Sequence, residues 1–387
     1  MSGLLRNRIL VGDVRDRLAD LPDASIDCVI TSPPYYQLRD YGIGGQLGLE
    51  ASVEGWVDEL RLALNGLVRV LKPSGSLWLN LGDSYSRHAK YGAPPKSLFL
   101  APERLLLALA AEGWIVRNKV IWAKTNPMPH SVADRLSGSY DVVYFLTRSP
   151  RYFFDLDAIR VPLRSWTNAR RGGVYPPEQA SAPLWRQHGG GNRGLGAQRE
   201  RGQVGHRLGK NPGDVWQISA ANYRGAHFAT FPPALVEQPL LATCPELICD
   251  RCGTPFTRAS RVRREELGRQ RSPQRREPRV RHYSRRYTVI RERGPLLPGC
   301  TCGTSARPGV VLDPFFGAGT VGLVAERHGR DWVGIEINPA YAKLAERRLA
   351  EARADHAGLD GPPVGGTPDP VLPAAQPSIP LERRSEP

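Results

Sequence analysis

The chain has 387 residues and a formal net charge of +15, room for one large domain with insertions or for two, and a surplus that favours a polyanionic partner. Six cysteines are too few for a disulfide scaffold in a chain this long and point to a reducing cytosol, hence a cytoplasmic location. No apolar run approaches the ~20 residues that cross a bilayer, so no membrane association is expected, and residues 1–10 carry arginines without the long apolar core of a signal peptide.

In chain order, Arg8-Ile9-Leu10-Val11 predicts a short strand closed by Gly12 and the carboxylate of Asp13. Ile26-Asp27-Cys28-Val29-Ile30 is apolar and β-branched enough for a buried strand, with Cys28 in the core. It runs into Thr31-Ser32-Pro33-Pro34-Tyr35-Tyr36. Each proline fixes φ and lacks an N–H, and the residue before it is pushed out of the α region. The corner is therefore stiff, and its carbonyls have no local N–H to bond. Carbonyl acceptors, a hydroxyl and a flat apolar face suit a planar ring bearing an amino group; the alternative is a rigid turn that only closes the strand.

Residues 37–50, with Gly42, Gly44, Gly45 and Gly48, read as a mobile loop over this site. Trp56, Leu60, Leu64, Leu67, Val68 and Leu71 recur at helical spacing, and Pro73-Ser74-Gly75 should end that helix. Residues 76–81 predict a strand leading into Gly82-Asp83-Ser84, 101–112 a leucine-rich helix, and 114–122 and 141–146 two further strands before the aromatic run Tyr152-Phe153-Phe154. From about 160 to 212 the composition turns to Gly, Arg, Gln and Pro and periodicity disappears. Such a stretch is a linker, or a loop-built surface that orders on a partner. Order returns at 214–218, and 227–243 holds a Phe-Pro-Pro turn and an apolar helix. Past a Cys- and Arg-rich segment, 310–313 and 331–337 predict strands and 319–328 and 339–353 helices, while 354–387, with eight prolines, reads as a disordered tail. Alternating strands and helices imply an α/β fold: a mostly parallel sheet with helices on both faces, and ligands beyond the carboxyl ends of the strands.

One such end is Asp313-Pro314-Phe315-Phe316-Gly317-Ala318-Gly319-Thr320, between a predicted strand and helix. Its glycines let the backbone approach a ligand, and the helix N-terminus offers free N–H groups to a carboxylate. One strand later, Gly334-Ile335-Glu336-Ile337-Asn338 sets an acid at a neighbouring strand tip, where it can take both hydroxyls of a ribose. The loop lacks the Gly-Lys-Ser/Thr ending that holds phosphates. Otherwise it is a structural glycine turn.

Ser32-Pro33-Pro34-Tyr35 resembles the (Asp/Asn/Ser)-Pro-Pro-(Tyr/Phe/Trp) motif of the site-specific DNA amino-methyltransferases, and the 313–320 loop resembles the S-adenosylmethionine loop of methyltransferases. In this order the two look like the circularly permuted β group, over roughly residues 8–160 and 212–350. Asn80-Leu81-Gly82-Asp83, Trp122-Ala123-Lys124-Thr125-Asn126-Pro127 and the Ser-Pro-Arg-Tyr at Ser149 also look like family stretches. The resemblance implies a Rossmann-like, circularly permuted, mostly parallel sheet with loop-rich insertions. Its expected parts are a catalytic half at 1–159, a target-recognition or flexible region at 160–212, and a cofactor half at 213–248 and 303–353. A knuckle with an Arg-rich loop at 249–302 and the tail 354–387 complete them.

It further implies S-adenosyl-L-methionine as cofactor, with Asp13 at the acidic position that contacts the adenine amino group. His227 and Phe228 fall in the segment that closes over the methionine part, and Thr31, Asp313, Pro314, Phe315, Gly317, Gly319, Thr320, Glu336 and Asn338 complete the expected cofactor set. The partner is double-stranded DNA, and a cognate restriction endonuclease is a possible second one. An exocyclic amino nitrogen is a poor nucleophile because its lone pair is delocalised. The Ser32 hydroxyl and the Pro33 carbonyl are the candidate acceptors that pull it toward tetrahedral geometry. Pro34 completes the rigid corner, and Tyr35 would stack on a base flipped from the duplex. Tyr36 either supports that stack or belongs to the core. Serine at position 32 favours N4 of cytosine; the family's aspartate marks mostly N6-adenine enzymes, which stay the alternative. Methylation of RNA or of a protein amide would more usually show Asn at position 32. An inert DNA-binding zinc protein would show a broken Pro-Pro motif or a lost Glu336.

Cys249-Asp250-Arg251-Cys252-Gly253 and Cys300-Thr301-Cys302-Gly303 form two close pairs. Four thiolates so spaced complete a tetrahedral, structural zinc site, against an adventitious thiol cluster. Cys244, at the end of the preceding helix, is not expected as a ligand. Residues 258–293 hold 14 Arg against 4 Glu: either phosphate contacts without base selection or a solvated charge run.

Overall fold

The computed structural model describes residues 6–129, 131–161, 209–220, 231–271 and 283–357. The elements in chain order are β1 (Arg8–Val11), α1 (Val14–Arg17), β2 (Ile26–Thr31), α2 (Val53–Asn65), α3 (Leu67–Val70), β3 (Leu71–Leu81), α4 (Ala101–Ala111), β4 (Ile115–Lys124), β5 (Tyr140–Thr147), α5 (Leu156–Ile159), β6 (Val215–Ile218), α6 (Pro233–Thr243), β7 (Ile248–Cys249), β8 (Thr257–Arg271), β9 (Tyr283–Leu297), β10 (Ala306–Arg307), β11 (Val310–Asp313), α7 (Thr320–Arg327), β12 (Asp331–Glu336) and α8 (Pro339–Ala357).

Eight strands make one sheet in the order β1-β12-β11-β2-β3-β5-β4-β6. All neighbours are parallel except β5, which runs against both β3 and β4. The carboxyl ends of β1, β12, β11, β2 and β3 therefore share one edge. At its centre the late strand β11 pairs with the early strand β2, Val311 opposite Cys28 and Leu312 opposite Val29. Residues remote along the chain thus become neighbours at the place where α/β sheets bind ligands.

Helices cover both faces because the apolar positions repeat at helical spacing. On α2 the Ser52 hydroxyl caps the first turn through the Gly55 N–H, and Val53, Trp56, Leu60, Ala63 and Leu64 are buried. They pack with Leu77, Leu79, Leu105 and Leu109 on one face, while Val236, Leu240, Val321, Val324 and Leu349 cover the other with Ile30, Trp78 and Phe145. Each such side chain contributes about 1.5–3 kcal/mol by leaving water. Among the described residues no helix is long and apolar enough to cross a membrane.

Two expectations change. The helical run does not continue to Pro73: α2 ends at Asn65, α3 at Val70, and Leu71 already belongs to β3. Leu71 kept the helical spacing because it reaches the same core from the strand. Pro73, which has no N–H to donate, falls in an irregularity between the pairs Ile26–Leu71 and Cys28–Ser76. The Arg-rich segment is not simply a loop either, since β8 and β9 pair over 15 residues each as a separate two-stranded ribbon. Most of 160–212, His227 and Phe228, residues 272–282 and 358–387 lie outside the described residues.

Candidate active site

The shared strand edge opens into a cleft of about 900 Å³, partly open to solvent. Gly12, Asp13 and Val14 after β1, Ser32 and Pro34 after β2, the 314–318 loop after β11 and Glu336, Ile337 and Asn338 after β12 all line it. Thr320 and Tyr341 close the helix side, and Tyr41, Ile43, Gln46 and Leu47 of the Gly-rich loop cover it.

The glycine loop is shaped from below. Phe316 stacks on Trp332, ring centroids 5.0 Å apart, and a Cβ at Gly334 would stand 2.4 Å from its ring. Gly317 and Gly319 hold φ of +51° and +76°, the left-handed region that side chains rarely adopt. This turns the Gly317 N–H onto Glu336 Oε2 at 2.7 Å, while the Asn338 N–H donates to Oε1 at 2.8 Å. Glu336 is thereby fixed at the cleft wall, and burial raises its carboxyl pKa. Gly319 starts α7 without lining the cleft.

Asp313 is almost fully buried at the end of β11. Its Oδ1 accepts the Thr31 hydroxyl at 2.7 Å and the Phe315 N–H at 3.0 Å, and burial pushes its carboxyl up to about 7. Asp13 caps α1 and is clasped by Arg15, whose Nε and Nη2 lie 2.9 and 2.6 Å from its two oxygens. The hydrogen-bonded Arg15 guanidinium holds the Asp13 carboxyl below its ordinary value.

At the proline corner, the Trp56 indole donates to the Pro34 carbonyl at 3.0 Å, and among the described residues nothing donates to the Pro33 carbonyl. The Ser32 hydroxyl lies 3.4 Å from both the Tyr35 hydroxyl and Asn80 Nδ2. Tyr35 turns its hydroxyl toward β3 and β5, accepting from Asn80 Nδ2 at 2.8 Å and reaching Asp141 Oδ2 at 3.4 Å, with Lys124 on the other oxygen of Asp141 at 2.8 Å. Burial, with the Asp141 charge alongside, keeps the Tyr35 phenol protonated. Pro33 and Tyr35 are not among the cleft walls. Tyr36 is core, edge-on to Phe99 at 4.8 Å, and so is Cys28.

The structure therefore gathers Asp13, Ser32, Pro34, Pro314, Phe315, Gly317, Thr320, Glu336 and Asn338 on one cleft, with Thr31 and Asp313 beneath it. Asn80 and Lys124 fall in stretches that the sequence already marked as family-like, but the link of Asn80 to the Tyr35 hydroxyl, and of Lys124 to it through Asp141, was not foreseen. Tyr41 and Gln46 come from the 37–50 loop expected over the site, and Phe231 from the segment expected to close over the methionine part; Tyr341, which carries no motif, was missed.

A second cluster lies at the opposite pole. The Sγ atoms of Cys249, Cys252, Cys300 and Cys302 all fall within 4.8 Å of one another, close to the spacing that ~2.3 Å zinc–sulfur bonds impose. The Thr304 hydroxyl holds the Cys249 thiol down to about 6, while hydrogen bonding to Cys252 and its neighbours pushes Cys302 up to about 12. Cys249 pairs with Ala306 just before β11, and the Gly309 N–H bonds the Pro245 carbonyl at 3.2 Å. This is the amino end of the strand whose carboxyl end carries Asp313. Cys244 is buried apart from the cluster.

A family of DNA methylases matches the chain over residues 26–250 and 303–347. The type II methyltransferase M.SmaI of Serratia marcescens is 30% identical over 374 residues, 91% of this chain and 94% of its own. M.SfiI of Streptomyces fimbriatus is 48% identical over 163 residues, 40% of this chain and 39% of its own. Among solved structures, the PvuII DNA methyltransferase (cytosine-N4-specific) superposes with a TM-score of 0.50 at 17% identity, covering 91% of this chain and 92% of that one; this likeness concerns the fold.

Proposed function

This chain belongs to the DNA methylase family, and on that premise we propose that it methylates an exocyclic amino group of a base in double-stranded DNA, N4 of cytosine, using S-adenosyl-L-methionine. The observation that carries the reading is the shared cleft: Ser32 at one end of the chain and Gly317 and Glu336 at the other line the same cavity.

The residues present fit the cofactor. Glu336, anchored by two backbone N–H groups, keeps lone pairs for two vicinal hydroxyls. Asp13 remains an acceptor toward an adenine amino group despite its clasp by Arg15, and Gly317 leaves the loop backbone open to the ligand. When bound, the cofactor supplies an electrophilic methyl group on sulfonium sulfur. The chain's own part is positioning. The Pro33 carbonyl, without a described partner, and the Ser32 hydroxyl accept N–H bonds from the target amino group and aim its lone pair at the cleft. Tyr35, tethered by Asn80 and Asp141, holds the apolar face beside them against which the flipped base packs.

Serine rather than aspartate at position 32 supports cytosine N4 over adenine N6. The four thiols of the knuckle suit a structural zinc ion. The test is transfer of tritiated methyl from the cofactor to duplex DNA, RNA and protein in parallel. Label in duplex DNA, recovered as N4-methylcytosine, is expected; label in RNA or protein, or none, contradicts the reading, and N6-methyladenine would reassign the base.

A further inference from the structure

We propose that the β8–β9 ribbon is an arm that grips the phosphates of duplex DNA outside the catalytic cleft, and that zinc held by Cys249, Cys252, Cys300 and Cys302 fixes the arm's foot. The proposal rests on duplex DNA being the substrate and adds a second contact surface to it.

Position comes first. The foot joins the body at β7 and β10, before Val310, whereas the cleft begins after Asp313. One short strand, ~13 Å, separates the two poles. Among the described residues none of the ribbon lines the cleft; its two 15-residue strands give it ~50 Å of reach, enough to meet DNA beyond the target base.

Energetics point the same way. A ribbon of two strands is marginal in water by itself, and among the described residues no third strand joins it. Its register sets Arg269 opposite Arg285 and Arg261 opposite Glu292. Like charges directly opposed weaken a ladder. A row of phosphates turns the ten arginines of the two strands from a liability into a binding surface. At the foot, Arg258 bridges Glu246 and the Gly294 carbonyl, the latter at 2.7 Å, and the Asp250 N–H bonds the Ser305 carbonyl at 3.0 Å. These few bonds hold a long lever, and a tetrathiolate site across Cys249–Cys302 supplies the missing rigidity.

The experiment uses the full chain with its metal content measured, and reads binding to a labelled non-target duplex by anisotropy from low to high salt. The comparison is a quadruple variant, Arg263→Gln, Arg264→Gln, Arg285→Gln and Arg286→Gln, which leaves the cysteines and the cleft intact. We expect about one zinc per chain. The salt slope should fall by about 0.9 for each lost phosphate contact, with at least tenfold weaker binding at moderate salt. Cofactor affinity and the ratio of target to non-target binding should be unchanged. Chelation of the zinc should lower the slope of the wild-type chain in the same direction. An unchanged slope in the variant, a lost target preference, or an absence of zinc overturns the proposal. No methyl transfer is needed for this readout, so a flat slope in an active enzyme defeats the arm alone, while a normal slope in an inactive chain defeats only the catalytic reading.

Discussion

Thr31 and Asp313, 282 positions apart in the chain, share a buried hydrogen bond of 2.7 Å between hydroxyl and carboxylate. One precedes Ser32 and the other opens the glycine loop, so the bond ties the proline corner to the loop below the cleft floor. Thr31→Val keeps the shape and removes the donor. Leaving Asp313 with the Phe315 N–H alone should cost about 1–3 kcal/mol in urea unfolding and lower turnover with little change in cofactor affinity. Unchanged stability would show that the two halves do not depend on this link.

Asp313 also carries a pH signature. Its folded carboxyl lies near 7 because burial disfavours the charge, whereas an unfolded carboxyl lies near ~3.9. The folded state therefore holds the proton more tightly, and this contribution to stability is complete below pH ~4 and lost as pH rises through about 7. Asp313→Asn fixes the neutral form. Its stability relative to the wild type should improve from pH 5 to pH 8 by roughly 1–3 kcal/mol, measured by urea unfolding at each pH. A difference independent of pH would contradict the perturbed carboxyl.

Glu336→Gln tests the proposed ribose contact. A glutamine keeps one acceptor oxygen but turns an amide donor toward either the Gly317 or the Asn338 N–H. Calorimetric affinity for S-adenosylmethionine should fall at least tenfold, about 1.4 kcal/mol, while binding of duplex DNA stays as it was. Equal affinity would remove Glu336 from the cofactor site.

Gly82→Ala probes the support of Tyr35. An added Cβ would lie 2.6 Å from the Tyr35 ring, a contact that forces the ring away from Asn80 and Asp141. The expected cost is about 1–3 kcal/mol of stability, together with a fall in kcat larger than any change in cofactor affinity. Normal turnover would mean that the ring's tether plays no part in the reaction.

The sequence disclosed the elements that obey local rules. The proline corner, the glycine loop and the acid at 336 are each set by backbone chemistry within a few residues, so their meaning is local. The Thr31–Asp313 bond and the Asn80–Asp141–Lys124 tether were not legible, because they arise only when β11 pairs with β2 and β5 is laid between β3 and β4. Leu71 was misassigned since a strand and a helix end can present the same apolar residue to one core. The ribbon was hidden by its arginines, which break the apolar alternation that marks a half-buried strand.

The most direct test is base-resolved sequencing of DNA from cells expressing the chain, beside cells expressing Ser32→Ala. The account predicts N4-methylcytosine at one position of one recognition sequence, falling ~100-fold or more in the variant while the purified variant still binds the cofactor. DNA without amino methylation, or methylation undiminished by the loss of the Ser32 hydroxyl, would contradict it.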